Sequence, residues 1–321
     1  MKSYIPPNEK LWAGRDSGQG HYLHEVVKCI PDEAEISIVH KDTYGILGYS
    51  CDEGVRRNYG RSGAADAPDV IRQQLAKMPI HLPQASSLLD LGTIECINGD
   101  MESAQSFLTE KVHRLLSLKI FPILLGGGHD IAYGHFQGIN SYLGPNKSLG
   151  IINFDAHFDL RSNESGNNSG TPFFQIAESC KTAGTHMNYM CLGIRDNAND
   201  RTLFARAKEL GVDYIKVENF TMHRLDQVKK ELKTFMNNVD YVYMTIDLDG
   251  FSSAYAPGVS AASPMGFAPD IALETIRTIV QTKKLISMDI AELNPAYDND
   301  NQTAKLAASL IHFVLHETSL L

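Results

Sequence analysis

Ile151-Ile-Asn-Phe-Asp155-Ala-His157-Phe-Asp159-Leu-Arg161 joins a short apolar run to a tight group of metal-ligand side chains. Gly150–Phe154 reads as a buried strand. In extended backbone the side chains at i, i+2 and i+4 face one side, so Asp155, His157 and Asp159 converge just past it. The same junction recurs twice. Leu124-Leu-Gly-Gly-Gly-His129-Asp follows the apolar run Phe121–Leu125, and Met244-Thr-Ile-Asp247-Leu-Asp249-Gly closes the run Tyr241–Ile246.

Working outward, Tyr44–Tyr49, Asn188–Gly193, Tyr214–Val217 and Leu285–Met288 are further strand candidates. Helical periodicity occupies about Glu102–Leu118, Leu203–Leu210, Leu225–Met236, Asp270–Thr282 and Thr303–His316. Another helix runs from Asp66, a candidate N-cap with Pro68 in the first turn, to about Met78. Strands alternating with helices predict an α/β fold with a mostly parallel central sheet covered on both faces. Sites in such sheets form beyond the carboxyl ends of the strands, where all three polar clusters fall.

No linker, repeat or low-complexity tract divides the 321 residues, which reads as one catalytic domain over 1–321, with 1–41 as an N-terminal extension packed on it. The content of 43% hydrophobic and 21% charged residues is that of a globular protein, and the net charge of -9 argues against nucleic acid or anionic membrane as partner. Five scattered cysteines without CxxC spacing read as reduced thiols. The opening MKSYIPPNEK lacks the apolar stretch of a signal peptide, so the expected location is cytoplasmic.

Asp155, Asp159, Asp247 and Asp249 with His129 and His157 pose a charge-balance problem, since clustered carboxylates need a counter-ion. No lysine or arginine lies between Val239 and Arg277. Two divalent cations would balance four carboxylates, and a donor set of oxygen and imidazole suits manganese, with cobalt, nickel or iron as alternatives. Such a pair would lower the pKa of a shared water, which implies metal-assisted hydrolysis. Rival motifs fail: Gly126-Gly-Gly-His lacks the Lys-Ser/Thr of a phosphate-binding loop, and Phe251 occupies a ligand position of the calcium-loop pattern. A core cysteine is the plain reading of Cys191.

Together, Gly126-Gly-Gly-His129, Asp155-Ala-His157-Phe-Asp159, and Asp247-Leu-Asp249 with Ala256-Pro-Gly resemble the signatures of the ureohydrolase family of arginase, agmatinase and formimidoylglutamase. The resemblance implies an arginase-like three-layer α/β/α fold and two Mn2+ ions per subunit. His129 and Asp159 would hold one ion and His157 and Asp249 the other, with Asp155 and Asp247 bridging. It also implies a homo-oligomer, a trimer or hexamer. Glu292, in Ser287-Met-Asp-Ile-Ala-Glu-Leu-Asn-Pro, matches the family's glutamate for a guanidinium or amidine, with a helix-capping or surface glutamate as the bland alternative. Asp289 is either a partner of a metal-bound histidine or a buried structural aspartate.

Within the family, the loop Ser165-Gly-Asn-Asn-Ser-Gly-Thr-Pro172 places Ser169 where arginase-like enzymes carry a proton-shuttle histidine. Arg161 stands where arginase has asparagine. Both features, with Asp52-Glu-Gly-Val-Arg-Arg-Asn-Tyr-Gly-Arg61, resemble the formimidoylglutamase branch. The expected reaction is hydrolysis of N-formimidoyl-L-glutamate to L-glutamate and formamide, a step of histidine degradation. Asp159 would orient the nucleophile and Glu292 would stabilise the tetrahedral intermediate. A substrate with two carboxylates needs fixed cations; Arg161 is the first candidate and Arg195 the second, a surface arginine being the alternative for the latter. Arg56, Arg57 and Arg61 would shape the entry loop or an interface. The alternatives are agmatinase or another guanidino-acid ureohydrolase, and more remotely a non-catalytic metal-binding relative.

Overall fold

The computed structural model describes residues 3–31, 36, 42–83 and 85–319. The strands are β1 (Ser3–Ile5), β2 (Lys28–Cys29), β3 (Thr43–Ser50), β4 (Ser87–Glu95), β5 (Phe121–Leu125), β6 (Leu149–Phe154), β7 (Asn188–Ile194), β8 (Asp213–Lys216), β9 (Tyr241–Asp247) and β10 (Leu285–Ala291). The helices are α1 (Leu23–Val26), α2 (Glu53–Arg57), α3 (Ala67–Leu75), α4 (Met101–Ser117), α5 (Ile131–Leu143), α6 (Pro172–Thr182), α7 (Arg201–Glu209), α8 (Leu225–Asn237), α9 (Pro269–Val280) and α10 (Gln302–Ser319). All seven apolar runs expected to be strands are strands. β4, α5 and α6 were not expected, and neither were the short β1, β2, α1 and α2.

The strands form one sheet in the order β1-β4-β3-β5-β10-β9-β6-β7-β8, with β2 also paired to β4. Every pairing is parallel except β1 with β4. β6 is buried along its whole length, as a central strand covered on both faces must be. Alternation along the strands then fills two cores. Ile123, Leu125, Ile152 and Phe154 pack with residues of α3, α8, α9 and α10, whereas Leu124, Ile151 and Tyr243 pack with residues of α4, α5, α6 and α7. This is the expected three-layer α/β/α arrangement.

Buried polar groups tie the edge of the sheet together. Arg72 of α3 donates to Asp90 Oδ1, to Thr93 and to the Gly92 carbonyl, while Trp12 Nε1 donates to Asp90 Oδ2 at 2.7 Å. The N-terminal segment is thus pinned to β4 by a side chain as well as by β1 and β2. Asp66 occupies the N-cap position of α3, but its side chain makes no capping hydrogen bond. Among the described residues, no helix is long and apolar enough to cross a membrane.

Candidate metal centre

The four neighbouring central strands β5, β10, β9 and β6 carry the candidate residues beyond their carboxyl ends. The chain passes from β3 through β5 on one side to β6 through β8 on the other, and β9 and β10 fill the gap between, so the cleft opens where the winding reverses. The glycine run after β5 makes a close approach possible. Gly127 donates to the Tyr49 carbonyl and Gly128 to that of Cys51, and a Cβ on Gly127 would collide with the Cys51 carbonyl oxygen. His129 is delivered to the cleft by that tight passage.

Two donor groups result. Ligand atoms of His129, Asp155, Asp159 and Asp247 all lie within 4.8 Å of one another, and so do those of Asp155, His157 and Asp249. Asp155 belongs to both groups, whereas Asp247 falls in the first alone. His129 Nδ1 lies 2.9 Å from Asp159 Oδ2, 3.2 Å from Asp247 Oδ2 and 3.3 Å from Asp155 Oδ2. His157 Nδ1 lies 3.2 Å from Asp249 Oδ2 and 3.4 Å from Asp155 Oδ1. Backbone amides hold the carboxylates: His157 N–H donates to Asp155 Oδ1 and Asp249 N–H to Asp247 Oδ1. Asn153 and Asn199 brace the loop, Asn153 through Asp155 Oδ2 and Asn199 through the Ala156 carbonyl and the Phe158 amide.

Burial works against charge on His129 and His157, but the surrounding carboxylates outweigh it and push both rings well above the ordinary histidine value. Burial would raise Asp155 too, yet the two histidines hold it below the usual carboxylate range. Burial and neighbouring carboxylates raise Asp247 and Asp159. Asp247 and Asp159 therefore hold their charge only at a cost that added positive charge would offset. Three carboxylate oxygens converge on a single ring nitrogen, which can offer one proton at most. Asp249 Oδ1 is buried without a hydrogen-bond partner among the described residues. A cation in each donor group fits both observations.

Glu292 follows β10 and is nearly buried, its Oε1 accepting from the His129 N–H at 2.8 Å. Burial pushes its carboxyl up to about 8, against that hydrogen bond. Glu292 and Asp159 both adopt left-handed backbone, with φ of 69° and 47°. Such strain at non-glycine residues costs about 1–3 kcal/mol and collects at functional sites.

A cavity of about 600 Å³ opens over this group, lined by His157, Asp159, Asp247, Asp249 and Glu292 below and by Arg161, Asn58, Ser169 and Arg206 above. The Arg161 side chain makes no hydrogen bond or close ion pair among the described residues, although Asp200 feels its charge. Arg195 is not brought to this wall. It is buried, its amide donates to the Ala156 carbonyl, and its Nε lacks a partner among the described residues. The loop that was to present it instead packs beneath the Asp155 motif. Arg206 stands at the cavity instead, donating to the Leu160 carbonyl and covering the Phe174 ring at 4.8 Å. Arg57 is held by Glu53 and Glu102, and Arg61 by the Val259 and Ser260 carbonyls. Ser169, expected in place of a shuttle histidine, lines the cavity, and its hydroxyl accepts from Asn58 Nδ2 at 3.2 Å. Arg206 carried no motif and Asn58 only its place in the Asp52–Arg61 element; the folded chain brings both here.

Residues 42–316 match the Arginase family. The chain belongs to that family. It is 46% identical over 316 residues to a formimidoylglutamase of Aeromonas salmonicida, covering 97% of this chain and 99% of the relative. The crystal structure of formimidoylglutamase from Bacillus subtilis superposes with a TM-score of 0.81 at 24% identity, covering 95% of this chain and 94% of that one. That of Trypanosoma cruzi formiminoglutamase with Mn2+ superposes with a TM-score of 0.77 at 22% identity, over 88% of this chain and 96% of that one. These two likenesses carry the fold.

Proposed function

We propose that this arginase-family chain hydrolyses N-formimidoyl-L-glutamate to L-glutamate and formamide. Nearly full-length similarity to a formimidoylglutamase supports the reading. Among features of the cavity, Arg161 carries it: a guanidinium with no close ion pair among the described residues lines the same cavity as a buried glutamate. A cation-loving end and an anion-loving end in one cavity suit an amidine that bears carboxylates.

Glu292 would take the planar amidinium through the oxygen not used by His129 N–H, the bound cation favouring the ionised carboxylate that burial disfavours. Arg161 and Arg206 would each take a carboxylate, Arg206 replacing Arg195 as the second anchor. Divalent cations held by His129, Asp155, Asp159 and Asp247 and by Asp155, His157 and Asp249 would supply a water of lowered pKa and polarise the amidine carbon. Asp159, raised by its burial, would orient that water, hold its proton and pass it to the leaving nitrogen of glutamate. Manganese is the expected ion from the oxygen-rich donors and the family resemblance. A trimer or hexamer rests on the resemblance alone.

Agmatine lacks a carboxylate, so its cationic tail would meet two arginines. Manganese-loaded protein assayed against formimidoylglutamate, agmatine, arginine and guanidinobutyrate decides. Formamide release from the first alone is expected; urea release without formamide overturns the reading.

A further inference from the structure

Behind His129 a chain of buried hydrogen bonds runs through the layer between the sheet and α5. His129 Nε2 lies 3.0 Å from Thr245 Oγ1, whose hydroxyl lies 2.5 Å from Asp289 Oδ1. Asp289 Oδ2 accepts from the Tyr243 hydroxyl and lies 2.6 Å from His135 Nδ1. His135 Nε2 lies 2.6 Å from Ser287 Oγ, which donates to the Pro122 carbonyl at 3.0 Å. Each of these side chains is 1% exposed or less. Tyr243 and Thr245 on β9, and Ser287 and Asp289 on β10, are spaced two apart and therefore share the face that α5 covers.

The direction of this chain can be read from its far end. A carbonyl only accepts, so the Ser287 proton goes to Pro122, and the Ser287 oxygen accepts from His135 Nε2–H. One proton lies between His135 Nδ1 and Asp289 Oδ2. On whichever atom it sits, Asp289 Oδ1 remains an acceptor and takes the Thr245 proton. Thr245 Oγ1 in turn accepts from His129 Nε2–H. A neutral His129 therefore keeps its Nδ1 lone pair toward the oxygens of Asp155, Asp159 and Asp247.

We propose that Thr245, polarised by Asp289, is a positioning residue that fixes the tautomer and ring plane of His129 for cation binding. This rests on the metal-site reading above and extends it to residues that touch neither cation nor substrate. It gives Asp289 the first of its two sequence alternatives, acting on His129 through Thr245 rather than directly.

The test is titration of the metal-free protein with Mn2+ by calorimetry, the step due to the His129 group being identified by its loss in His129→Asn. Thr245→Val keeps the shape and removes the acceptor. It should weaken that step about 10- to 100-fold, leave the step due to Asp155, His157 and Asp249 within about threefold, and be rescued by Thr245→Ser. Wild-type affinity for both ions in Thr245→Val overturns the proposal. So does equal weakening of both steps without rescue by serine, which marks a packing role. Should the valine variant not fold, Thr245→Ala removes the same acceptor, and an unchanged His129 step there overturns the proposal too. A wild-type protein that binds no Mn2+ would instead sink the metal-site reading itself.

Discussion

The chain gathers histidines at both ends of its sheet. Beyond the carboxyl ends, His129 and His157 sit among four aspartates. Toward the amino end, the rings of His312 and His316 of α10 lie 4.0 Å apart between centroids, tilted by 33°, with His81 5.6 Å from His316. Burial opposes charge on all four rings. Carboxylates reverse its effect on His129 and His157, pushing them well up. Around His312 and His316, His81 adds to burial and both are pushed down. Burial is thus common to the two groups, and the neighbours decide the sign. Only the acidic group fits a cation; the other holds its rings neutral, His312 donating to the Pro79 carbonyl and His316 Nε2 accepting from His81 N–H.

The largest effect should come from breaking the acidic group at its shared member. Asp155 is the one carboxylate in both donor groups, so Asp155→Ala should lose both cations and bring turnover to background. Elemental analysis of the purified variant beside a formamide assay measures this. Two retained ions with normal turnover would break the comparison at its first step.

A smaller effect separates cation binding from substrate binding. Arg161 touches no candidate ligand, so Arg161→Ala should leave metal content and kcat unchanged. KM for formimidoylglutamate should rise about 10- to 100-fold, the range of a lost hydrogen bond to a charged group. Initial-rate kinetics with a metal assay on the same sample measure both. A fall in kcat at unchanged KM would move Arg161 from the carboxylate to the reacting centre.

The acidic group was legible in sequence because three apolar runs lead directly into ligand-type side chains, two of them into sets spaced two apart. The parallel sheet was legible from the unbroken apolar runs. β4 was not, because Asp90, Gly92 and Thr93 interrupt its apolar pattern; their partner Arg72 lies 18 to 21 residues upstream. α5 was hidden by its glycines. Gly134 reads as a breaker, yet it lets the helix lie against the Gln105 carbonyl of α4, where a Cβ would meet that oxygen at 2.7 Å. Thr245 and His135 were silent for another reason: uncharged or lone residues acquire a role only through partners 44 to 154 residues away. Arg195 was misplaced because spacing after a strand says nothing of which side its loop folds toward.

The smallest effect tests the sign of the two shifts directly. In metal-free protein, His129 and His157 have folded values above the unfolded one. Their contribution to stability is therefore full below about pH 6.5 and lost as pH rises through the folded values. His312 and His316 are lowered, so their contribution is full above about pH 6.5 and lost as the unfolded chain takes up protons below it. His316→Gln removes one titrating ring and keeps an oxygen to accept from His81 N–H. Its Tm should match the wild type near pH 8 and fall less steeply than the wild type's on acidification toward pH 5. The difference should be about two degrees or less, because these rings are half-exposed and solvent screens them. Calorimetric melting of both proteins, with Mn2+ removed by chelation, gives the slopes. A steeper acid loss in the variant would mean that His316 gains a proton on folding, and neighbours would then not set the sign at the amino end as they do among the aspartates.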